Sequence, residues 1–379
     1  MSDHTPATSR RAFLGAAAAT AAAAGLGDAA ATAAPTRRAT YRERHRVDLH
    51  GHSLVPAYRA ALAAAGITAF HRIPVPEWSP ELALEFMGQH DIAFQFLSVS
   101  DPGVSFLPDD AAANALAREV NLQNATVVKA HPRRFGTFAV VNLRDVAAAT
   151  AEATYCLDTL KVDGVGLLTG SGGRYLGDPA FAPLLSALNA RGAWVMVHPT
   201  QPLADDKPDY AMPDFVAEYP FETTRAIVSL MFNGAFTRWP KIRWHFAHGG
   251  GCIPMIRSRL TVLAANAKPF GAALGLPDGS RTLTEGAPDR ILRRLHYDVA
   301  LIADPPELEA VSALAGPRRM LFGSDWPFAA RAFDPTVRDP APALGTVFST
   351  ADRHRIERTN ARDVFPRLRK IVPAGERVG

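Results

Sequence analysis

Histidines and one aspartate occur where predicted β-strands end, and these residue types bind metal ions. The first predicted strand ends in His-Gly-His. Residues two apart on a strand point to the same side, so His50 and His52 are expected to project together. Later strand ends carry His198, His248 and Asp325. Imidazoles with a carboxylate suit a borderline divalent cation, with Zn²⁺ as the first choice and Mn²⁺ or Fe²⁺ as alternatives.

The elements that must position these residues are strands alternating with helices. After residue 45, short β-branched or apolar segments alternate with helical patterns, which is typical of a parallel sheet covered by helices. The predicted strands are Arg46–His50, Ile92–Val99, Phe135–Val141, Gly164–Leu168, Trp194–His198, Ile242–Ala247, His296–Leu301 and Arg319–Gly323. The predicted helices include Glu81–Gln89, Ala111–Ala130, Val146–Lys161, Phe181–Ala190, Thr223–Thr237 and Pro306–Ala315.

Eight strand and helix units in about 320 residues predict an α/β fold, a single (β/α)8 TIM barrel within residues 35–379. A doubly wound sheet is the alternative, but no Gly-rich fingerprint follows the first strand. A barrel gathers all its strand ends around one axis, on the face where barrel enzymes keep their sites. The long segments 54–80 and 199–220 follow strands that end in histidine, so we expect them to shape a substrate pocket.

Composition excludes several classes of protein. The 379 residues are 47% hydrophobic and carry a formal net charge of +4, so the chain can bury a large core. No basic stripe is interleaved with aromatic residues, which argues against nucleic-acid binding. The two cysteines, Cys156 and Cys252, are far apart in sequence and indicate neither a disulfide framework nor a thiolate zinc site.

The first 34 residues resemble an export signal. Ser9-Arg10-Arg11-Ala12-Phe13-Leu14 is a twin-arginine pattern, and an Ala-rich, weakly apolar segment follows it. That segment is too short and too rich in alanine for a stable membrane anchor. We therefore expect export in folded form by the twin-arginine machinery, then signal cleavage and a periplasmic, cell-wall or extracellular location.

The motifs together resemble those of the amidohydrolase superfamily, in the branch of aminocarboxymuconate-semialdehyde, 6-methylsalicylate and γ-resorcylate decarboxylases. They are Asp48-x-His50-x-His52, His198-Pro199, His248-Gly249-Gly250-Gly251 and Gly323-Ser324-Asp325-Trp326-Pro327-Phe328. The resemblance implies that His50, His52, His198 and Asp325 bind one metal ion. It also implies that His248 acts on a water molecule or on the substrate.

The same resemblance separates this chain from the binuclear hydrolases of the superfamily. Those enzymes carry a carboxylated lysine at the end of the fourth strand. Here the sequence 164–169 contains no lysine, and Lys161 precedes the strand, at its other end. A single metal ion is therefore expected.

Such a site can perform two reactions. A divalent ion can activate bound water for hydrolysis. It can instead chelate a carboxylate and a neighbouring phenol or enol oxygen, so that a proton reaches the carbon that loses CO₂. His248 and Asp325 are the candidate catalytic residues for that proton. We predict decarboxylation of a small aromatic or unsaturated carboxylic acid, with hydrolysis of a lactone, ester or amide as the alternative. A non-catalytic binding protein is disfavoured because all five polar site residues are present.

Four further residues are candidates for substrate binding. By the resemblance, Arg259 reaches the site of a neighbouring subunit and holds a substrate carboxylate, which implies a homodimer. The alternative is an ordinary arginine on a helix surface. Arg72 and His71, after the first strand, are similar candidates, and Trp326 is expected to form an apolar wall unless it packs in the core.

Overall fold

The computed structural model describes residues 45–70, 72–203, 211–329, 341 and 343–372. The proposed export signal, residues 1–34, lies outside the described residues and stays a prediction. Within the described ranges, no helix has the length and apolar character needed to cross a membrane.

Parallel strands form one sheet in chain order. They are β1 (Arg46–His52), β2 (Ile92–Ser98), β3 (Phe135–Ala139), β4 (Gly164–Leu168), β5 (Trp194–His198), β6 (Arg243–Phe246), β7 (His296–Asp298) and β8 (Met320–Leu321). The first strand also meets the last segment. The Leu49 N–H donates to the Phe322 carbonyl over 3.0 Å, and the Asp325 N–H donates to the His50 carbonyl over 2.7 Å. The sheet is therefore a closed barrel, and the predicted (β/α)8 fold is confirmed.

Helices cover the outside of the barrel. They are α1 (Pro56–Ala64), α2 (Pro80–Gln89), α3 (Asp110–Ala130), α4 (Val146–Tyr155), α5 (Ala182–Ala190), α6 (Glu218–Phe232), α7 (Ala235–Arg238), α8 (Ile253–Phe270), α9 (Ala287–Leu292), α10 (Pro305–Ala315), α11 (Ala343–Val347), α12 (Thr350–His354) and α13 (Asn360–Val364). Polar N-cap residues explain where several of these helices begin. The side chains of Ser79, Asp109 and Asp145 each accept a backbone N–H from the first turn of α2, α3 and α4.

Two predicted helices differ from the observed ones. The helix predicted for 146–161 continues past α4 only as a π-helical turn, Cys156–Leu160. The helix predicted for 223–237 begins earlier, at Glu218, and is interrupted after Phe232. Gly234 there has a φ of 77°, a conformation that ends a helix and that glycine adopts without strain.

Aromatic side chains fill the bottom of the barrel. Phe96 and Phe138 stack with ring centroids 5.1 Å apart, and Phe365 from the C-terminal segment contacts both Phe96 and Trp194 at 4.6 and 5.1 Å. Side chains from β2 and β5, which are not adjacent strands, can meet the same ring only inside the barrel. The C-terminal segment therefore plugs the end opposite the predicted site.

The segment that follows α11 is partly buried. The chain forms α12 and then a π-helical turn, Arg355–Thr359, in which Ile356 and Glu357 are buried. Glu357 accepts a hydrogen bond of 3.0 Å from the Arg46 side chain of β1, which offsets the cost of burying its charge.

Candidate metal centre

The strand ends bring four predicted ligands together. His50 Nε2 lies 3.1 Å from His52 Nε2, and Asp325 Oδ1 lies 3.3 and 2.8 Å from these two atoms. With His198, each residue offers one ligand atom, and these atoms all lie within 4.8 Å of one another. All four side chains are buried. The residues predicted from β1, β5 and the end of β8 thus form one cluster.

The far nitrogen of each imidazole is held by a hydrogen bond. His50 Nδ1 lies 2.9 Å from Asp298 Oδ2, and His198 Nδ1 lies 2.7 Å from the carbonyl oxygen of the next residue. His52 Nδ1 lies 3.0 Å from the Ser98 hydroxyl, which donates to a backbone carbonyl and therefore accepts from the imidazole. With a proton on each Nδ1, each Nε2 is left as a lone pair for a metal ion.

Charges in the cluster favour a cation. Burial and the neighbouring imidazoles lower the pKa of His198 well below its usual value, so this side chain is neutral and able to ligate. Burial raises the pKa of Asp325, but His50 outweighs it, and the pKa of this carboxyl lies well below its usual range. Burial lowers the pKa of His50, yet Asp298 and Asp325 together raise it to about 10, so a metal ion bound here would displace a proton from Nε2. Three imidazole nitrogens and a carboxylate in this setting fit a divalent cation.

His248 stands apart from the four ligands. Its Nε2 lies 3.6 Å from Asp325 Oδ2 and has no hydrogen-bond partner among the described residues, although the side chain is buried. Its backbone has a φ of 52°, and the three glycines that follow also have positive φ. A Cβ on Gly251 would lie 2.1 Å from the Pro220 carbonyl oxygen, so the chain can turn here only with glycine. A buried imidazole nitrogen without a partner, beside Asp325, suits proton transfer.

An apolar cavity of about 340 Å³ opens onto this cluster, with His198 and Asp325 among its lining residues. Its other walls are mainly aromatic and aliphatic, contributed by Phe70, Ile73, Pro74, Phe215, Leu301 and Phe328. The Phe328 ring lies 5.4 Å from the His52 ring, and the Tyr219 ring lies 5.9 Å from the His198 ring. Pockets for small ligands have this character, with apolar walls and a few convergent polar groups.

The four predicted substrate-binding residues do not form one group in the structure. Arg72 lines the cavity, with a φ of 73°, whereas His71 lies outside the described residues. Of the two alternatives for Trp326, the structure shows packing in the core, since its ring stacks on Phe86 of α2 at 5.3 Å and does not line the cavity. Arg259 is exposed on α8, beside a surface cleft, and does not line the cavity of its own chain.

Two buried carboxylates around the cluster were given no role from the sequence, although Asp48 belongs to the first motif. Asp298 ends β7 and contacts His50, as described above. Asp48 accepts from the His50 and Ser324 N–H groups, both over 3.0 Å, and from Gln95 Nε2 over 2.8 Å. It therefore joins the ends of β1 and β8. A carboxylate at a barrel strand end was a usable signal for Asp298, because the ligands occupy the same kind of position.

A closed parallel barrel with this cluster at its C-terminal strand ends defines a metal-dependent enzyme of the amidohydrolase type. The chain matches the family model described as Amidohydrolase over residues 47–367 and belongs to that family. It is 35% identical to the 6-methylsalicylic acid decarboxylase of Aspergillus aculeatus, covering 87% of this chain and 98% of that one. It is 33% identical to the enzyme of the same name from Penicillium expansum, covering 86% and 98%. The branch predicted from the motifs is confirmed.

A solved structure shows the same fold. The 5-carboxyvanillate decarboxylase of Novosphingobium aromaticivorans, in complex with manganese and 4-hydroxy-3-methoxy-5-nitrobenzoic acid, superposes with a TM-score of 0.71. The two chains are 18% identical, and the match covers 85% of this chain and 96% of that one.

Proposed function

We propose that this protein is a metal-dependent, non-oxidative decarboxylase of a small aromatic carboxylic acid with a hydroxyl group beside the carboxyl group. The observation that carries this proposal is the buried cluster of His50, His52, His198 and Asp325 beneath an apolar cavity, with His248 adjacent. Relatives of 33 and 35% identity that are named 6-methylsalicylic acid decarboxylases support it.

The four clustered residues would hold one divalent cation, with Zn²⁺ as the first choice and Mn²⁺ or Fe²⁺ as alternatives. Bound there, such a cation would supply Lewis-acid chemistry, and it would orient the aromatic ring through the substrate carboxylate and the neighbouring hydroxyl group. The sequence 164–169 supplies no lysine, and Lys161 precedes β4, which supports a single ion.

The side chains of the protein supply the proton. Decarboxylation requires a proton to bond to the ring carbon that bears the carboxylate. The carbon–carboxylate bond then breaks, its electrons return to the ring, and CO₂ leaves. His248 Nε2 lies 3.6 Å from Asp325 Oδ2, and Asp325 lines the cavity, so His248 delivers the proton beside the carboxylate that would hold the metal ion.

The cavity walls bind and shield the ring. Phe70 and Phe328 contact each other edge to face at 5.8 Å and present aromatic surface to the substrate. Excluding water from this space strengthens the interactions of the charged groups with the substrate while its ring carbon is protonated. Arg72 is the proposed partner of the carboxylate oxygen that the metal ion would leave free, because a guanidinium is a strong hydrogen-bond donor to carboxylates.

A homodimer in which Arg259 serves the partner's site remains part of the proposal. Arg259 lies on the same exposed face of α8 as Met255 and Val262, which are 69 and 64% exposed. An apolar helix face of this kind suits a protein interface. If Arg259→Ala raises KM for the acid in a dimer of unchanged mass, the residue acts across the interface. An unchanged KM would remove Arg259 from the site.

Export by the twin-arginine route is proposed from residues 1–34 alone. Replacing Arg10 and Arg11 by lysine should retain the protein in the cytoplasm of a host with this route. Localisation of the wild type and the variant by fractionation checks this expectation.

The proposed reaction is tested with a substrate panel. Protein loaded with Zn²⁺ or Mn²⁺ is incubated with hydroxybenzoic acids and, separately, with lactones and esters, while CO₂ release and acid production are followed. CO₂ release matched by loss of an ortho-hydroxybenzoic acid is the expected result. Acid production from an ester or lactone without CO₂ would make the protein a hydrolase instead.

A further inference from the structure

The two carboxylate oxygens of Asp298 contact different parts of the candidate metal centre. Its Oδ2 lies 2.9 Å from His50 Nδ1 and 2.8 Å from His245 Nε2. Its Oδ1 accepts the backbone N–H groups of His248 and Ala300 over 3.0 and 3.1 Å. One fully buried carboxylate thus contacts a proposed metal ligand and the backbone of the proposed proton donor.

His245 is a buried histidine whose polar partner is Asp298. It is fully buried on β6, and its Nδ1 has no hydrogen-bond partner in the described part of the chain. Burying an imidazole with one nitrogen unpaired costs free energy, so a leucine would be the expected occupant of a purely structural core position. The Nε2 contact with Asp298 is the polar interaction that His245 makes here.

We propose that His245 and Asp298 are a positioning pair, which sets the orientation of the ligand His50 and the backbone of His248 at the same time. This inference rests on the metal site of the proposed function. His245 holds the Asp298 carboxylate from below, and that carboxylate fixes the proton of His50 on Nδ1. The same carboxylate stabilises the left-handed backbone of His248, whose φ is 52°.

The acceptor pattern explains why a carboxylate is needed at position 298. Both oxygens accept from two N–H groups each, whereas an asparagine amide would offer one oxygen and one NH₂ donor. Backbone amides cannot change into acceptors, but imidazoles can move a proton between their nitrogens. In Asp298→Asn the NH₂ group therefore faces the imidazoles, and His50 must carry its proton on Nε2, the ligand atom.

The first experiment measures Zn²⁺ affinity of the purified protein by competition with a chromophoric chelator. His245→Leu removes the donor to Asp298, and we expect affinity to fall about 10- to 100-fold. His245→Gln replaces the donor with a side-chain NH₂ group at a similar reach, so affinity should return to within a few-fold of wild type. His296→Leu is the matched control, because His296 is also buried in the barrel but bonds Trp244 and Arg319 instead of Asp298.

Asp298→Asn is the second variant, and it remains informative if His245→Leu fails to fold. Its Zn²⁺ affinity should also fall about 10- to 100-fold. The visible spectrum of the Co²⁺-loaded variant should show altered metal coordination, which a general loss of stability would not produce. Wild-type affinity and an unchanged Co²⁺ spectrum in both His245→Leu and Asp298→Asn would overturn the pairing. A wild-type protein that binds no metal would instead refute the proposed function.

Discussion

At the scale of single residues, His248 and Asp325 have different proposed roles although they are neighbours. Asp325 lies 2.8 Å from His52 Nε2 and belongs to the ligand cluster, whereas the nearest distance from His248 Nε2 to Asp325 is 3.6 Å. Both have positive φ, at 52° and 55°, a conformation that costs free energy and is common at functional sites. In the proposed function, Asp325 binds the metal ion and His248 handles the proton.

Substitutions at His248 and Asp325 should separate metal binding from proton transfer. In His248→Ala we expect one metal ion per chain and a turnover about 10² to 10⁴ times slower, because the ligands remain while the proton source is lost. In Asp325→Ala both metal content and turnover should be lost. Elemental analysis and CO₂ release measure the two quantities. Normal turnover in either variant would refute the site as drawn.

At the scale of elements, the close approach of the β8 end to β1 depends on Gly323. A Cβ at this position would lie 2.8 Å from His50 Cβ and 3.2 Å from Asp298 Cβ. Gly323→Ala should therefore push His50 out of place, lower Zn²⁺ affinity at least about 10-fold and destabilise the fold by about 1–3 kcal/mol.

Gly166→Ala is the control for this prediction. Gly166 is also on a barrel strand, but the nearest atom to its added Cβ lies 3.7 Å away. This variant should keep wild-type Zn²⁺ affinity. If Gly323→Ala also kept wild-type Zn²⁺ affinity, the β8 end would be able to move without disturbing His50.

Glu357 joins the C-terminal segment to β1 through Arg46 and His45, at 3.0 and 3.1 Å. Burial raises its pKa, but hydrogen bonding from His45 and the Arg46 charge outweigh burial and lower the pKa from 4.5 to about 2. A depressed carboxyl pKa stabilises the fold above the unfolded value, and this contribution is lost as pH falls from about 4.5 toward 2.

Glu357→Gln should therefore unfold more easily at pH 7, by on the order of 3 kcal/mol, and the difference should shrink toward pH 2. Denaturant unfolding at several pH values measures this. Glu309→Gln, at an exposed position, should match wild type at every pH. A stability difference for Glu357→Gln that does not depend on pH would contradict the charge-based explanation.

The strands were predictable because their apolar character and their positions between helical patterns are local properties. The ends of β4 and β5 agree with prediction to the residue. The seventh strand is shorter than predicted, because the chain turns after Asp298 and reaches a φ of 55° at Leu301. Helix α1 was missed within a segment interpreted as a loop.

The ligand cluster was predictable in part for the same local reason, since His50, His52 and His198 lie at the ends of β1 and β5. The choice of Asp325, which lies beyond the end of β8, over His248 as a ligand came from the family resemblance. The groups that orient the ligands were not predictable, because they depend on register between strands distant in sequence. Asp298 meets His50 across 248 positions of sequence. Whether Trp326 or Phe328 faces the cavity depends on the turn after Ser324, which composition does not determine.

At the scale of the whole molecule, metal binding and folding are linked, because the cluster joins β1, β5 and the end of β8 around one point. At a free cation concentration of about 100 times the dissociation constant, binding stabilises the folded state by about 2.7 kcal/mol. Removing it with a chelator should lower the Tm by about 5 °C, and returning Zn²⁺ should restore it. An unchanged Tm after verified metal removal would indicate that the ion does not bind within this cluster.

The most direct test titrates metal-depleted protein with Zn²⁺ and follows CO₂ release from an ortho-hydroxybenzoic acid. The account predicts no CO₂ without metal, a linear rise in rate and saturation at one ion per chain, with His248→Ala about 10² to 10⁴ times slower throughout. CO₂ release from metal-depleted protein, or no CO₂ from the loaded protein alongside ester or lactone hydrolysis, would contradict it.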